Sequence, residues 1–186
     1  MPDGDGNLRL ALCAAGELFG GVERQLLGLC EYARRRTGTP PALLLFHDGE
    51  LARQARRLGV APAIVPARHR YDPGQAARLA AALAAARAGV VHAHGYRAAI
   101  ACALARRRWP GAVVKTEHGR IEPSRGRPLV WAKSRLNTWL DTRATRRADA
   151  VCYVTDDLRR HWERRHRGLA RHVVLNGIDP LEREGR

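Results

Sequence analysis

Seven short apolar runs, separated by segments of helical periodicity, constrain the fold of this chain more than any other feature. The runs are nearly continuous in Val, Leu, Ile and Ala, which is typical of strands buried on both faces of a sheet. Strands that alternate with helices pair in parallel, with the helices covering both faces. The sequence therefore predicts an α/β fold, a Rossmann-like parallel sheet of about six or seven strands flanked by helices. The predicted strands are residues 8–13, 42–46, 63–65, 89–93, 112–116, 150–154 and 172–175.

Six helices are predicted between these strands. Asp72 is expected to cap the third, which has Pro73 in its first turn, and Thr155 with Asp156 to cap the sixth. No repeat or linker interrupts the alternation, so residues 7–175 are predicted to form one domain after a disordered tail at 1–6. The predicted helices are residues 22–36, 50–58, 73–88, 96–108, 128–147 and 156–165.

The chain is strongly basic, with 33 Lys and Arg against 18 Asp and Glu and a formal net charge of +15. Such a charge favours anionic partners, and it leaves open a basic nucleic-acid-binding α/β module. However, the arginines are dispersed over most helices, and aromatic residues make up only 5% of the chain. Because no stacking platform or recognition helix stands out, nucleic acid is not the expected partner.

Cysteine usage and the N-terminus predict a cytoplasmic protein. The four cysteines (Cys13, Cys30, Cys102 and Cys152) are scattered singly, which favours reduced thiols over a disulfide framework or a zinc site. The first residues lack the basic-then-apolar pattern of a signal peptide. Apolar stretches such as residues 79–86 are too short to span a bilayer.

A glycine-rich segment follows the first predicted strand and includes the pair Gly20-Gly21. In a parallel sheet, ligands bind outside the carboxyl ends of the strands, where this segment lies. Paired glycines let backbone N–H groups approach a phosphate or a sugar without a Cβ in the way. The segment is neither a Gly-x-Gly-x-x-Gly motif nor a P-loop, which argues against ordinary dinucleotide binding and ATPase chemistry. A simple strand-to-helix turn is the alternative interpretation.

Histidine and glycine recur at the ends of two further predicted strands. His92 and His94 end the fourth strand, and their spacing of two places both side chains on one face. His118 and Gly119 follow the fifth strand. No nearby carboxylate or cysteine completes a metal site with His92 and His94, so we expect no metal. Two strand ends of this kind beside a glycine pair indicate one shared crevice.

Taken in order, these motifs resemble those of the family-4 glycosyltransferases. The resemblance rests on the Gly20-Gly21 segment, on residues 90–94 and 116–119, and on residues 147–155. The ending Val173-Val-Leu-Asn-Gly-Ile-Asp179 is similar to the point where those GT-B enzymes cross to their second domain. It implies that residues 7–175 are the acceptor-binding domain and that residues 176–186 begin the crossover to a C-terminal donor-binding domain.

The resemblance also implies an activity and residue roles. The enzyme is expected to transfer a sugar from a nucleotide-sugar to a hydroxyl of a sugar or lipid-linked acceptor, with retention and without a further cofactor. His118 is implied as the catalytic contact to the transferred sugar or acceptor. The implied substrate-binding residues are Gly20, Gly21, His94 and Gly119. The family's donor clamp belongs to the second domain, so this chain alone is expected to be inactive; a non-catalytic remnant of the fold remains an alternative.

The predicted helix at residues 128–147 is open to two interpretations. Its apolar residues recur at helical spacing and fit a surface helix packed on the sheet. The seven cations between Arg125 and Arg147, with the side chains of Trp131 and Trp139, also fit a face that meets anionic lipid. The second interpretation predicts a peripheral enzyme on the inner membrane face.

Overall fold

A computed structural model describes residues 9–69, 72–120 and 128–177 of the chain. It contains one seven-stranded sheet, in which every neighbouring pair of strands is parallel. The strands are β1 (Leu10–Ala14), β2 (Ala42–Leu45), β3 (Ala63–Ile64), β4 (Val90–His94), β5 (Ala112–Glu117), β6 (Ala150–Tyr153) and β7 (Ala170–Val173). The helices are α1 (Gly21–Thr37), α2 (Glu50–Arg57), α3 (Gln75–Ala85), α4 (Tyr96–Ala105), α5 (Pro128–Thr145) and α6 (Asp156–Trp162). The predicted α/β Rossmann-like fold is confirmed.

The strand order, β3-β2-β1-β4-β5-β6-β7, places a topological switch between β1 and β4. The chain builds outward from β1 to β3, then returns to pair β4 with the other side of β1. The connections that leave β1 and β4 therefore diverge, and a crevice opens between them at the carboxyl edge of the sheet.

Two cores cover the two faces of the sheet. On one face, Leu12 and Leu45 pack against α1 and α2 through residues such as Leu26 and Leu51. On the other face, the alternate residues of the same strands pack against α3 and α4. Leu79, Leu83 and Cys102 of these helices are fully buried. The near-continuous apolar character of the strands follows from this burial on both sides.

Several local predictions need correction. Helix α3 begins at Gln75 instead of Pro73, because the Asp72 carboxylate accepts the backbone N–H of Gly74 at 2.9 Å and closes a turn before the helix. Strand β7 lies two residues earlier than predicted, at Ala170–Val173. Thr155 does cap α6, since its hydroxyl oxygen accepts the N–H of Leu158 at 3.2 Å.

The apolar stripe predicted to pack α5 on the sheet is exposed. Leu129, Leu136 and Trp139 are 79%, 47% and 55% exposed. The α5 residues that are buried are Asp141, Ala144 and Thr145. The disordered tail predicted at 1–6, and residues 178–186 of the predicted crossover, lie outside the described residues. Within the described part, no helix is both long and apolar enough to cross a membrane.

Candidate functional site

The candidate site lies at the switch point between β1 and β4. Strand register aligns Ala14 at the end of β1 with His94 at the end of β4, and His94 with Thr116 on β5. Gly95 follows His94 with a φ of +80°, in the left-handed region that glycine enters without strain. Because α4 begins directly after this turn, His94 is the last residue of β4 and lies at the carboxyl edge of the sheet.

Three histidine side chains form a connected row across β4 and β5. The ring centroids of His92 and His94 are 4.2 Å apart, so both lie on one face of β4, as their spacing predicted. Nδ1 of His94 lies 2.9 Å from Nε2 of His118, and Nε2 of His92 lies 2.6 Å from Oγ1 of Thr116. The structure therefore brings His94 and His118 into direct contact. The register with Leu12 and Ala14 places His92 and His94 on the α1–α2 face of the sheet.

Burial keeps these three imidazoles neutral. It lowers the pKa of His92 and of His118 to about 4, with repulsion from neighbouring positive charge adding to the effect. Burial also lowers the pKa of His94 well below its usual value. A neutral imidazole has one N–H donor and one acceptor nitrogen, so one ring of the His94–His118 contact donates and the other accepts. The row is suited to hydrogen bonding with hydroxyl groups and not to holding an anion by charge.

His118 is more open to a ligand than its partner His94. It is half-buried, whereas His94 is 2% exposed and its Nε2 is buried without a partner. Gly119 is exposed beside it, and Arg120 then forms an ion pair with Asp157 of α6. Among the described residues, no group of three or more His, Cys, Asp or Glu side chains is arranged to hold a metal ion.

The glycine-rich loop between β1 and α1 differs in one respect from the expectation. The N–H of Gly20 donates to the Glu23 carboxylate at 2.9 Å, so it is already engaged and a ligand must displace Glu23 to use it. Gly21 is exposed, and a Cβ at this position meets no atom within 4 Å. Within the loop, Gly16 has a φ of +72°, and its carbonyl oxygen lies against Gly49 at the start of α2.

A buried arginine at the same edge was not predicted. The side chain of Arg97, in the first turn of α4, is 8% exposed and forms an ion pair with Glu17 of the β1–α1 loop. Nε2 of His47, after β2, lies 3.2 Å from both Arg97 Nη1 and Glu17 Oε1. Arg97 thus ties the glycine-rich loop to the starts of two other connections. The sequence contains many dispersed arginines. The feature that could have marked Arg97 as a site residue is its position directly after His94-Gly95-Tyr96.

The opposite face of β5 carries a buried charge network that was also missed. Lys115 is 1% exposed, and its Nζ donates to Glu117 at 2.5 Å, Asp141 at 2.7 Å and Thr145 at 2.9 Å. Burial raises the pKa of Glu117, an effect that Lys115 opposes and Asp141 reinforces. The network fixes the end of β5 to α5, directly before His118.

Comparison with known proteins gives the family. The model of Glycosyltransferase Family 4 matches residues 19–181. No curated protein matches the chain. The structure of HepE from Anabaena in complex with UDP-glucose superposes with a TM-score of 0.74 at 16% identity, over 93% of this chain and 45% of that one.

Two further structures show how widely the fold is shared. The lipopolysaccharide outer core galactosyltransferase WaaB gives a TM-score of 0.65 at 13% identity, over 96% of this chain and 50% of that one. The UDP-N-acetylglucosamine 2-epimerase from Rickettsia bellii gives 0.59 at 14% identity, over 91% and 45%. The chain thus spans about half the length of the structures it matches, and at these identities they establish the fold alone. The family match covers most of the sequence, from the glycine-rich loop to the segment beyond β7. The chain therefore belongs to Glycosyltransferase Family 4.

Proposed function

We propose that this chain is the acceptor-binding half of a GT-B glycosyltransferase. The complete enzyme transfers a sugar from a nucleotide-sugar to an acceptor hydroxyl with retention of the anomeric configuration. The bond from the anomeric carbon to the diphosphate breaks, a bond to the acceptor oxygen forms, and the hydroxyl proton leaves with the nucleoside diphosphate. The observation that carries the proposal is the neutral His94–His118 pair at the switch point, in a chain that matches the family over residues 19–181.

In this proposal His118 contacts the transferred sugar or the acceptor. Its half-buried neutral ring offers a hydrogen bond to a hydroxyl, and the 2.9 Å contact from His94 Nδ1 orients that ring. His94, which is 2% exposed, stands behind His118 and acts on the acceptor side through that ring, and exposed Gly119 lets the backbone approach the sugar. Gly20 and Gly21 lie beneath the sugar and the donor phosphate, and Gly20 becomes a donor once Glu23 moves away.

The proposed donor is a UDP-sugar, since HepE is known in complex with UDP and with UDP-glucose. The likeness to WaaB, a lipopolysaccharide outer core galactosyltransferase, supports a carbohydrate-bearing acceptor. The clamp on the donor diphosphate is assigned to a C-terminal domain of the same enzyme. The described half on its own therefore lacks a complete donor pocket, and we expect it to transfer no sugar.

We also propose that the enzyme works as a peripheral protein on an anionic membrane surface. The support is the exposed apolar face of α5, where Leu129 and Trp131 are 79% and 49% exposed on a protein of net charge +15. Flotation with anionic and neutral vesicles at low and high salt tests this proposal, because surface attraction weakens as the Debye length shortens. Equal recovery with both lipid types, or binding indifferent to salt, contradicts it.

The transferase proposal is tested on an enzyme that contains this chain and its second domain. We expect one of a panel of UDP-sugars, offered with carbohydrate acceptors, to release UDP and give a glycoside whose anomeric configuration, measured by NMR, matches the donor. A product with the opposite anomeric configuration contradicts the proposed retention but leaves the proposed sugar transfer standing. Conversion of the UDP-sugar to its epimer without transfer, as the shared fold of the 2-epimerase makes testable, contradicts the proposed reaction.

A further inference from the structure

A groove of about 440 Å³ runs along α5, on the opposite side of the sheet from the histidine row. Four arginines line it: Arg135 and Arg143 from α5, Arg146 directly after α5, and Arg165 from the segment after α6. The groove-lining residues of α5 recur at three- and four-residue spacing, so they share one helix face beside the face that packs on Lys115. Four cations therefore converge on one concave surface that the histidine site does not use.

No acidic side chain among the described residues that line this groove neutralises its positive charge. Its lining in the described part of the chain contains the four arginines, three hydroxyl residues and Trp139, and no carboxylate. Asp141 is on α5 but is buried against Lys115, while Glu163 after α6 lies near Arg159 and Arg171. The nearby carboxylates are thus directed to other cations, so the groove presents a net positive surface to a ligand.

The ring contacts of Arg135 and Arg143 leave their in-plane N–H groups available to a ligand. Arg135 stands over the Trp131 ring at 4.9 Å and Arg143 over the Trp139 ring at 5.2 Å. Stacking on a ring face orients a guanidinium without consuming its in-plane donors, which match phosphate oxygens in pairs. Arg146 also donates through Nε to the backbone carbonyl of Arg165 at 2.9 Å, which joins the two walls of the groove.

The hydroxyl groups leave anion binding to the arginines. The Thr138 hydroxyl donates to the carbonyl of Ser134 at 2.9 Å, and the Thr142 hydroxyl to that of Thr138 at 2.8 Å. In this arrangement their protons point into the helix and their oxygens line the groove as acceptors.

We propose that this groove binds the phosphate group of an anionic lipid headgroup. Lipid is favoured over a soluble phosphate because the exposed apolar side chains of Leu129, Trp131 and Leu136 precede or flank the arginines on the same helix. A bilayer provides a phosphate layer next to an apolar layer, and this helix presents cations next to apolar and indole side chains. The inference rests on the proposed membrane association and gives it a discrete site, but it does not depend on the proposed sugar transfer.

The test compares vesicles that carry phosphatidic acid with vesicles that carry phosphatidylglycerol at equal surface potential. The full chain should bind the phosphatidic acid vesicles several-fold more tightly, because the exposed monoester presents more oxygens to the arginine forks. Arg135→Gln with Arg143→Gln should weaken that binding by about tenfold or more, the scale expected for two cations at an anionic surface. The matched control, Arg107→Gln with Arg108→Gln, removes the same charge from exposed positions after α4 and should change it by less than about threefold.

A charge-conserving variant separates a site from general attraction. Arg135→Lys with Arg143→Lys keeps the charge and removes the planar fork, so we expect bulk vesicle binding to persist while the preference for phosphatidic acid disappears. Equal binding to both vesicles, or equal losses in the groove and control variants, overturns the site and leaves membrane association standing. Inorganic phosphate that binds the chain without vesicles and abolishes vesicle binding overturns the lipid assignment.

Discussion

Replacing Lys115 by Met should destabilise the chain strongly, and more so at neutral than at acidic pH. The Nζ of Lys115 is the shared donor of a network in which Glu117 is 6% and Asp141 2% exposed. Methionine keeps the length and apolar stem of lysine but removes the charge. The two carboxylates then stay buried side by side with no cation between them.

The expected cost is about 3–5 kcal/mol, the usual range when one partner of a buried ion pair is removed. That is a large fraction of the roughly 5–15 kcal/mol of total stability of a typical domain. With a urea m-value of about 2–3 kcal/mol per M, the midpoint of unfolding should fall by roughly 1–2.5 M. Far-UV circular dichroism in a urea titration at pH 7.5 measures this shift.

The dependence on pH gives a second, independent readout. Burial and Asp141 already raise the pKa of Glu117, and Lys115 opposes them, so loss of Lys115 raises that pKa further. A carboxyl group with a folded-state pKa above its unfolded value takes up a proton on folding, and the resulting stability is lost as pH rises. The deficit of Lys115→Met relative to the wild type should therefore shrink between pH 7.5 and pH 5.

Removing the remaining charges is the control. Lys115→Met combined with Glu117→Gln and Asp141→Asn leaves no buried carboxylate to neutralise and should recover a substantial part of the loss. A midpoint in Lys115→Met within about 0.3 M of the wild type, or a deficit of the same size at both pH values, refutes a charged network at this position.

Three further predictions follow from the site. Because burial holds the pKa of His92 at about 4 against 6.5 in the unfolded chain, the unfolded state protonates first as pH falls. The free energy of unfolding should then drop between pH 6.5 and 4, and His92→Gln should flatten that slope in urea titrations. Gly49→Ala places a Cβ 2.7 Å from the carbonyl oxygen of Gly16, so the β1–α1 loop must shift, and thermal unfolding should show a loss of about 1–3 kcal/mol. The isolated chain should bind UDP-glucose weakly by calorimetry, and tight binding contradicts the assignment of the donor clamp to a second domain.

The fold could be predicted because the central strands had to be apolar on both faces. Burial against helices on either side removed polar alternation there, and the resulting runs marked those strands, whereas β3 and β7 at the edges of the sheet are largely exposed. The contact between His94 and His118 was also within reach of sequence, since both residues end strands that such a sheet aligns. The first residues of helices were harder to predict from sequence. Turns closed by a side chain, such as the one in which Asp72 accepts from Gly74, compete with the hydrogen bonds of a helix.

The packing of α5 and the buried charges could not be predicted. The apolar periodicity of α5 indicated a core-facing stripe, but Lys115 on β5 required carboxylates, and the helix turns Asp141 and Thr145 towards it instead. Leu129 and Trp139 were left exposed as a result. Similarly, Arg97 differs from other arginines only through its pairing with Glu17, a contact that exists after the chain has folded.

Substitution of His118 in the complete enzyme tests the central claim most directly. Loss of a polar contact made in the transition state typically lowers turnover by about 10²-fold or more, and we expect that loss in kcat for His118→Ala at pH 7.5. His69→Ala is the matched control, because His69 is exposed and follows β3, which is separated from β4 by β2 and β1 in the sheet. Urea titrations of both variants confirm that they remain folded. A kcat at least 10²-fold lower in His118→Ala alone is the predicted result, whereas wild-type turnover in that variant contradicts the proposed site.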